Sequence, residues 1–142
     1  MRKNLTIYRL TALALIAGSL AACTAANADE SDLAPEELPA ASAFAAGTCA
    51  STAQDVLGLA TLARKIASAE SVDAKGRGEL RDRQARIAQF RANAPEQLQK
   101  PLQDLVTSIG YVRIRFNGQT YDPKIVRQMD DTRRAYQKLC VG

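Results

Sequence analysis

Five arginines, Arg77, Arg81, Arg83, Arg86 and Arg91, crowd one stretch of this 142-residue chain. Arginine offers permanent positive charge and a fork of donors that fits carboxylates and phosphates. Such a group reads as a solvated, salt-bridged face or as a contact face for an anionic partner. Glu79 and Asp82, each four residues before an arginine, suit the first reading. Phospholipid headgroups, wall polymers or an acidic protein would suit the second. Nucleic acid is not expected, because no aromatic stacking residues are interleaved with these arginines.

The chain has no histidine. This removes the usual general base, the Ser-His-Asp and Cys-His arrangements and the commonest metal ligand together. Ser71 and Lys75 stand four apart, whereas a Ser-x-x-Lys nucleophile needs three and a buried lysine. Asp130 and Asp131 are neighbours, about 100° apart on a helix, so they cannot face each other as an acid/base pair; Asp130 more naturally supports Arg134. Gly76-Arg77-Gly78 has neither the length nor the Gly-Lys-Ser/Thr ending of a phosphate loop. The chain therefore reads as a non-enzyme without metal or cofactor. Tyr111, Tyr121 and Tyr136 leave one alternative, a small-ligand or haem carrier using tyrosinate. Against it, Tyr136 falls on an apolar face and reads as core, while Tyr121 sits where it could staple a helix entry.

The N-terminus carries an address. Arg2, Lys3 and Arg9 are followed by an uncharged apolar run, Leu10 to Leu20, and by the small residues Ala21 and Ala22, the layout of a secretory signal. A transmembrane helix needs about 20 apolar residues, roughly twice this run. Leu20-Ala21-Ala22-Cys23 resembles the lipobox of bacterial lipoproteins. In that family the cysteine becomes the first mature residue and carries the lipid, so the resemblance implies a signal peptide over 1–22, lipidation at Cys23 and a membrane partner through that lipid. Ala26-Asn27-Ala28 offers a competing cleavage site that would release a soluble protein from Asp29. On either route Cys49 and Cys140 remain as an even pair in an oxidising compartment, where a disulfide is the expected state.

Residues 23–48 are expected to form the lipid-attachment cysteine and an acidic flexible tether. From Asp29 to Thr48 there are five acids and no base, with no sustained apolar pattern. Residues 49–142 carry 16 Lys/Arg and 10 Asp/Glu, so the domain is basic while the tether is acidic.

Helical spacing runs through the domain. Val56, Leu59, Leu62, Ala63 and Ile66 mark a first helix over 51–68, ended by Lys75-Gly76-Arg77-Gly78. Leu80, Ile87 and Phe90 mark a second over 79–93. Leu98, Leu102, Leu105, Val106, Ile109, Val112 and Phe116 mark a third after Pro95, with a kink or second start at Pro101. Asp122-Pro123 reads as N-cap and N1 of a fourth, with Ile125, Val126, Met129, Tyr136 and Leu139. Residues 112–116 also alternate ahead of Asn117-Gly118, a hairpin signal. The unbroken helical stripe favours a helix ending at a left-handed glycine. The expected fold is all-α: an up-down four-helix bundle closed by one end-to-end disulfide, after a signal peptide and a disordered tether. In that topology the start of helix one and the end of helix four meet at one end, where Cys49 and Cys140 would lie. Tether then bundle looks like small exported helical proteins of bacteria, a resemblance that carries no functional residues.

Overall fold

The computed structural model describes Leu33, residues 36–118 and residues 120–142. The expected signal peptide, Cys23 and the first part of the expected tether lie outside the described residues. A 3-10 turn at Ala41–Ala43 leads into four helices, α1 (Thr48–Ala69), α2 (Ala74–Arg91), α3 (Glu96–Asn117) and α4 (Pro123–Val141). Each helix packs on its neighbours in sequence, and α4 closes the ring on α1. This is the expected up-down bundle, and its seam is covalent: Cys49 and Cys140 are disulfide-bonded with Cα atoms 5.3 Å apart. The loop it closes spans 91 residues, which corresponds to about 4–5 kcal/mol in the chain-entropy account.

The apolar stripes point where their spacing requires. Val56, Leu59, Leu62, Ala63 and Ile66 of α1 are buried against Leu102, Leu105, Ile109 and Val112 of α3 and Val126, Met129 and Tyr136 of α4 in one core. Leu139 departs from its stripe and is exposed. The contested segment 112–116 is helical and Val112 and Phe116 are buried. Asn117 ends the helix, but Gly118 has φ −79° and not the left-handed conformation expected of it. Among the described non-glycine residues Glu70, at the end of α1, is the left-handed one, with φ 48°. Asp122 caps α4 by accepting from the Lys124 backbone N–H at 3.0 Å, with Pro123 at the first helical position.

Three expectations need correction. The first concerns Lys75 to Gly78, which lie inside the first turns of α2 and do not separate helices. Asp73 is the N-cap and accepts from Gly76 N–H at 2.6 Å, which satisfies an orphan donor of the first turn and outweighs the poor helix propensity of glycine there. A Cβ on the buried Gly76 would lie 3.0 Å from Val72, so the glycine permits the close turn. The second concerns Pro101, which opens no second helix, since α3 runs unbroken from Glu96 to Asn117.

The third concerns the tether, whose later part is a strap packed on the bundle. Phe44 is buried in the core, Leu33 packs against it, and Ala45 N–H donates to the Cys140 carbonyl at 2.8 Å. Glu36 accepts from Arg133 of α4. A lone phenylalanine and a lone acid show no periodicity, so composition alone reads this segment as linker. The structured unit thus begins well before Thr48. Every member of the core cluster lies from Leu33 onward, within the described residues. Among those residues no helix is long and apolar enough to cross a membrane.

Candidate functional site

The five arginines of the α2 region divide into two kinds. α2 buries few apolar side chains, chiefly Leu80 and Ile87, worth roughly 1.5–3 kcal/mol each. Polar anchors supply the rest of its attachment. Asp55 of α1, buried, accepts from Arg86 at 2.6 and 3.1 Å and from Arg83 at 3.2 Å. The bond to Asp55 raises the Arg86 pKa above its ordinary value. Gly58 makes room for this clamp, because a Cβ there would lie 2.1 Å from the Arg83 guanidinium. Arg83 and Arg86 are therefore fasteners between α1 and α2, with Arg83 mostly buried and Arg86 half exposed. The i,i+4 pairs with Glu79 and Asp82 do not form; Asp82 instead accepts from Arg81 at 2.9 Å.

Arg77 and Arg81 face α3. With Arg113, Ala74, Gly78 and Asn117 they line a groove of about 400 Å³ between the start of α2 and the end of α3. Arg77 donates to the Val72 carbonyl at 2.8 Å. Arg113 donates to the side-chain carbonyl of Gln84, whose amide is anchored on the Val106 carbonyl at 2.8 Å. Gly110 lets Gln84 approach, since a Cβ there would meet its amide nitrogen at 3.0 Å. Both guanidiniums are held by neutral oxygens. Asp82, the carboxylate on Arg81, forms an ion pair more than half exposed at both ends, which water weakens. Among the described residues no carboxylate lines the groove, Glu70 bordering only the adjoining hollow it shares with Arg77, so the groove is net positive and its donors remain available to an anion.

Arg91 lies apart, in a hollow with Glu96, Gln99, Lys100 and Gln103. Of the five arginines expected to share a face, the structure thus brings two to one groove. The members missed in the sequence are Arg113 and Asn117. Their basic or polar character is legible, but which neighbour they face is set by the packing of α3 on α2.

A second charged cluster is buried. Arg133 has only 1% of its side chain exposed and donates to Asp130 at 2.7 Å, to Gln137 at 2.6 Å and to Glu36 of the strap. Arg134 donates to Asp130 at 2.7 Å, as the sequence suggested. That bond raises the Arg134 pKa. Two guanidiniums face two carboxylates here, so the cluster is balanced and structural. Glu36 also borders a hollow of about 520 Å³ with Glu37, Arg134, Lys138 and the chain end.

The tyrosines do not converge. Tyr136 is buried and shares a 2.9 Å hydrogen bond with Thr52, and burial raises its pKa. Tyr121 stacks obliquely on Phe116 at 6.0 Å between ring centres, and its hydroxyl has no hydrogen-bond partner among the described residues. Tyr111 is exposed. Ser71 and Lys75 are exposed as well. Among the described residues no three His, Cys, Asp or Glu side chains gather as a metal-ligand set. No family model matches the sequence, and no curated protein or solved structure matches it.

Proposed function

We propose that this chain is an exported lipoprotein, attached to a membrane through Cys23, whose bundle serves as a non-enzymatic interaction module for anionic material of the cell envelope or an acidic partner protein. The observation that carries this reading is the groove of Arg77, Arg81 and Arg113, three guanidiniums with no carboxylate in the wall among the described residues. The leader, with its basic start, apolar run and lipobox-like Leu20-Ala21-Ala22-Cys23, supports export and attachment. Because the strap already packs on the bundle at Leu33 and Glu36, nine residues, Thr24 to Asp32, separate it from Cys23. Nine residues reach at most about 30 Å, so the domain works close to its anchor.

The test is co-sedimentation of the Asp29–Gly142 segment, which contains the core formed by the described residues and the disulfide, with envelope material at low and moderate salt. Salt-sensitive binding is expected, and Arg77→Ala with Arg81→Ala should weaken it by about five-fold per arginine. Arg83→Ala and Arg86→Ala are the wrong probes, since they would leave Asp55 buried without its partners. Absence of binding at both salts would overturn the reading and favour the carrier alternative.

A further inference from the structure

Two of the large exposed apolar side chains stand beside this groove. Ile114 is 70% exposed and Tyr111 is 50% exposed, three residues apart and so on one outer side of α3. Arg113 and Arg115 flank Ile114, each rotated by about 100° around the helix. From Leu105 to Tyr121 the chain has two arginines and no acid. Arg77 and Arg81 extend the positive surface across the groove onto α2. The apolar stripe of α3 itself is committed to the core through Leu105, Ile109, Val112 and Phe116. Of the large apolar side chains of α3, Tyr111 and Ile114 are the exposed ones.

We propose that this face docks onto an anionic phospholipid surface, with Ile114 and Tyr111 at the headgroup–acyl boundary and Arg77, Arg81, Arg113 and Arg115 on the phosphates. The proposal rests on the reading above and names its partner. A wall polymer offers anions but no apolar phase for Ile114 and Tyr111; a phospholipid surface offers both. Tyrosine suits the boundary because its ring is apolar and its hydroxyl stays wet. Each arginine near an anionic surface strengthens binding by about five-fold, an effect that fades with salt. The other exposed apolar pair, Leu139 and Val141, lies where Val141 and Lys138 share a hollow with Glu36 and Glu37. Glu36 and Glu37 there balance Arg134 and Lys138, so that end lacks an excess of positive charge and serves as an internal control.

The chain contains no tryptophan, so a single introduced indole reports one position even in the full-length, membrane-attached protein. Ile114→Trp and Leu139→Trp would each be mixed with phosphatidylglycerol or phosphatidylcholine vesicles and read by emission wavelength and acrylamide quenching. The expected result is a blue shift and several-fold lower quenching at position 114 alone, with phosphatidylglycerol alone, reversed by salt. Adding Arg81→Ser and Arg115→Ser should abolish the shift while the N-terminus keeps the protein on the vesicle. An unchanged indole at 114, an equal response with phosphatidylcholine, or an equal response at 139 would overturn the proposal. If position 114 is silent while envelope sedimentation still depends on Arg77 and Arg81, the lipid assignment falls and the interaction module stands with a polymer or protein partner. If both fail, the module reading falls with it.

Discussion

Arg133 and Arg77 belong to clusters of the same chemistry with opposite surroundings. Around Arg133 and Arg134, two carboxylates, Asp130 and Glu36, meet the charge at distances of 2.7 Å for both Asp130 bonds, and Arg133 is sealed from water. Around Arg77 and Arg113 the partners are a backbone carbonyl and a glutamine. A buried guanidinium without a counter-charge is too costly to persist, so the first cluster is balanced for the fold's own sake. Water already compensates the second, so nothing in folding requires a carboxylate there. The excess positive charge of the domain is left where the structure does not use it, and that is where a partner can.

The sharpest way to break this contrast is Arg133→Ala. It leaves buried Asp130 and Glu36 with Arg134 as their one remaining partner in the cluster, and a loss of about 3–5 kcal/mol is expected from denaturant midpoints. A loss below 1 kcal/mol would mean that the buried cluster is no more structural than the groove. Reducing the Cys49–Cys140 bond, or Cys49→Ser with Cys140→Ser, should cost about 2–5 kcal/mol and release the seam that Ala45 shares with Cys140. The melting temperature would fall accordingly.

Tyr136→Phe removes the hydrogen bond to Thr52 and should cost about 1 kcal/mol at neutral pH. Burial holds the Tyr136 pKa above that of the unfolded chain, near 10. Its contribution to stability is therefore complete below pH 10 and is lost as pH rises toward the folded-state value. A stability profile taken above pH 9 should decline less steeply in the phenylalanine variant than in the parent. Arg81→Ala closes the series with the smallest effect on stability, within about 0.5 kcal/mol. Its envelope binding should nevertheless fall about five-fold, and a stability loss as large as that of Arg133→Ala would erase the distinction between the clusters.

Some of this was readable from spacing. The stripe from Leu98 to Phe116 placed α3 and outweighed the hairpin signal at Asn117-Gly118, because a long helical period buries more than one turn can redirect. Lys75 to Gly78 misled, since the cap that decides the start of α2 is one side chain, Asp73, which accepts from the N–H of Gly76 three residues on. The arginines were visible as a group, but their division was not. Arg83 and Arg86 reach Asp55 about 30 residues away, at a sequence separation no local pattern records.

By itself the amino-acid order determined the all-helical class, the pairing of Cys49 with Cys140 across the bundle's closed end, and the core roles of Val56, Met129 and Tyr136. Those follow from periodicity, cysteine count and chain direction, which are one-dimensional properties. Only the tertiary structure decided that Glu36 and Phe44 belong to the domain, that Arg83 and Arg86 are fasteners, and that Arg113 joins Arg77 and Arg81 in one groove. Charge can be counted along a chain, but which charges are neutralised depends on distances between helices, and those exist only once the core has packed.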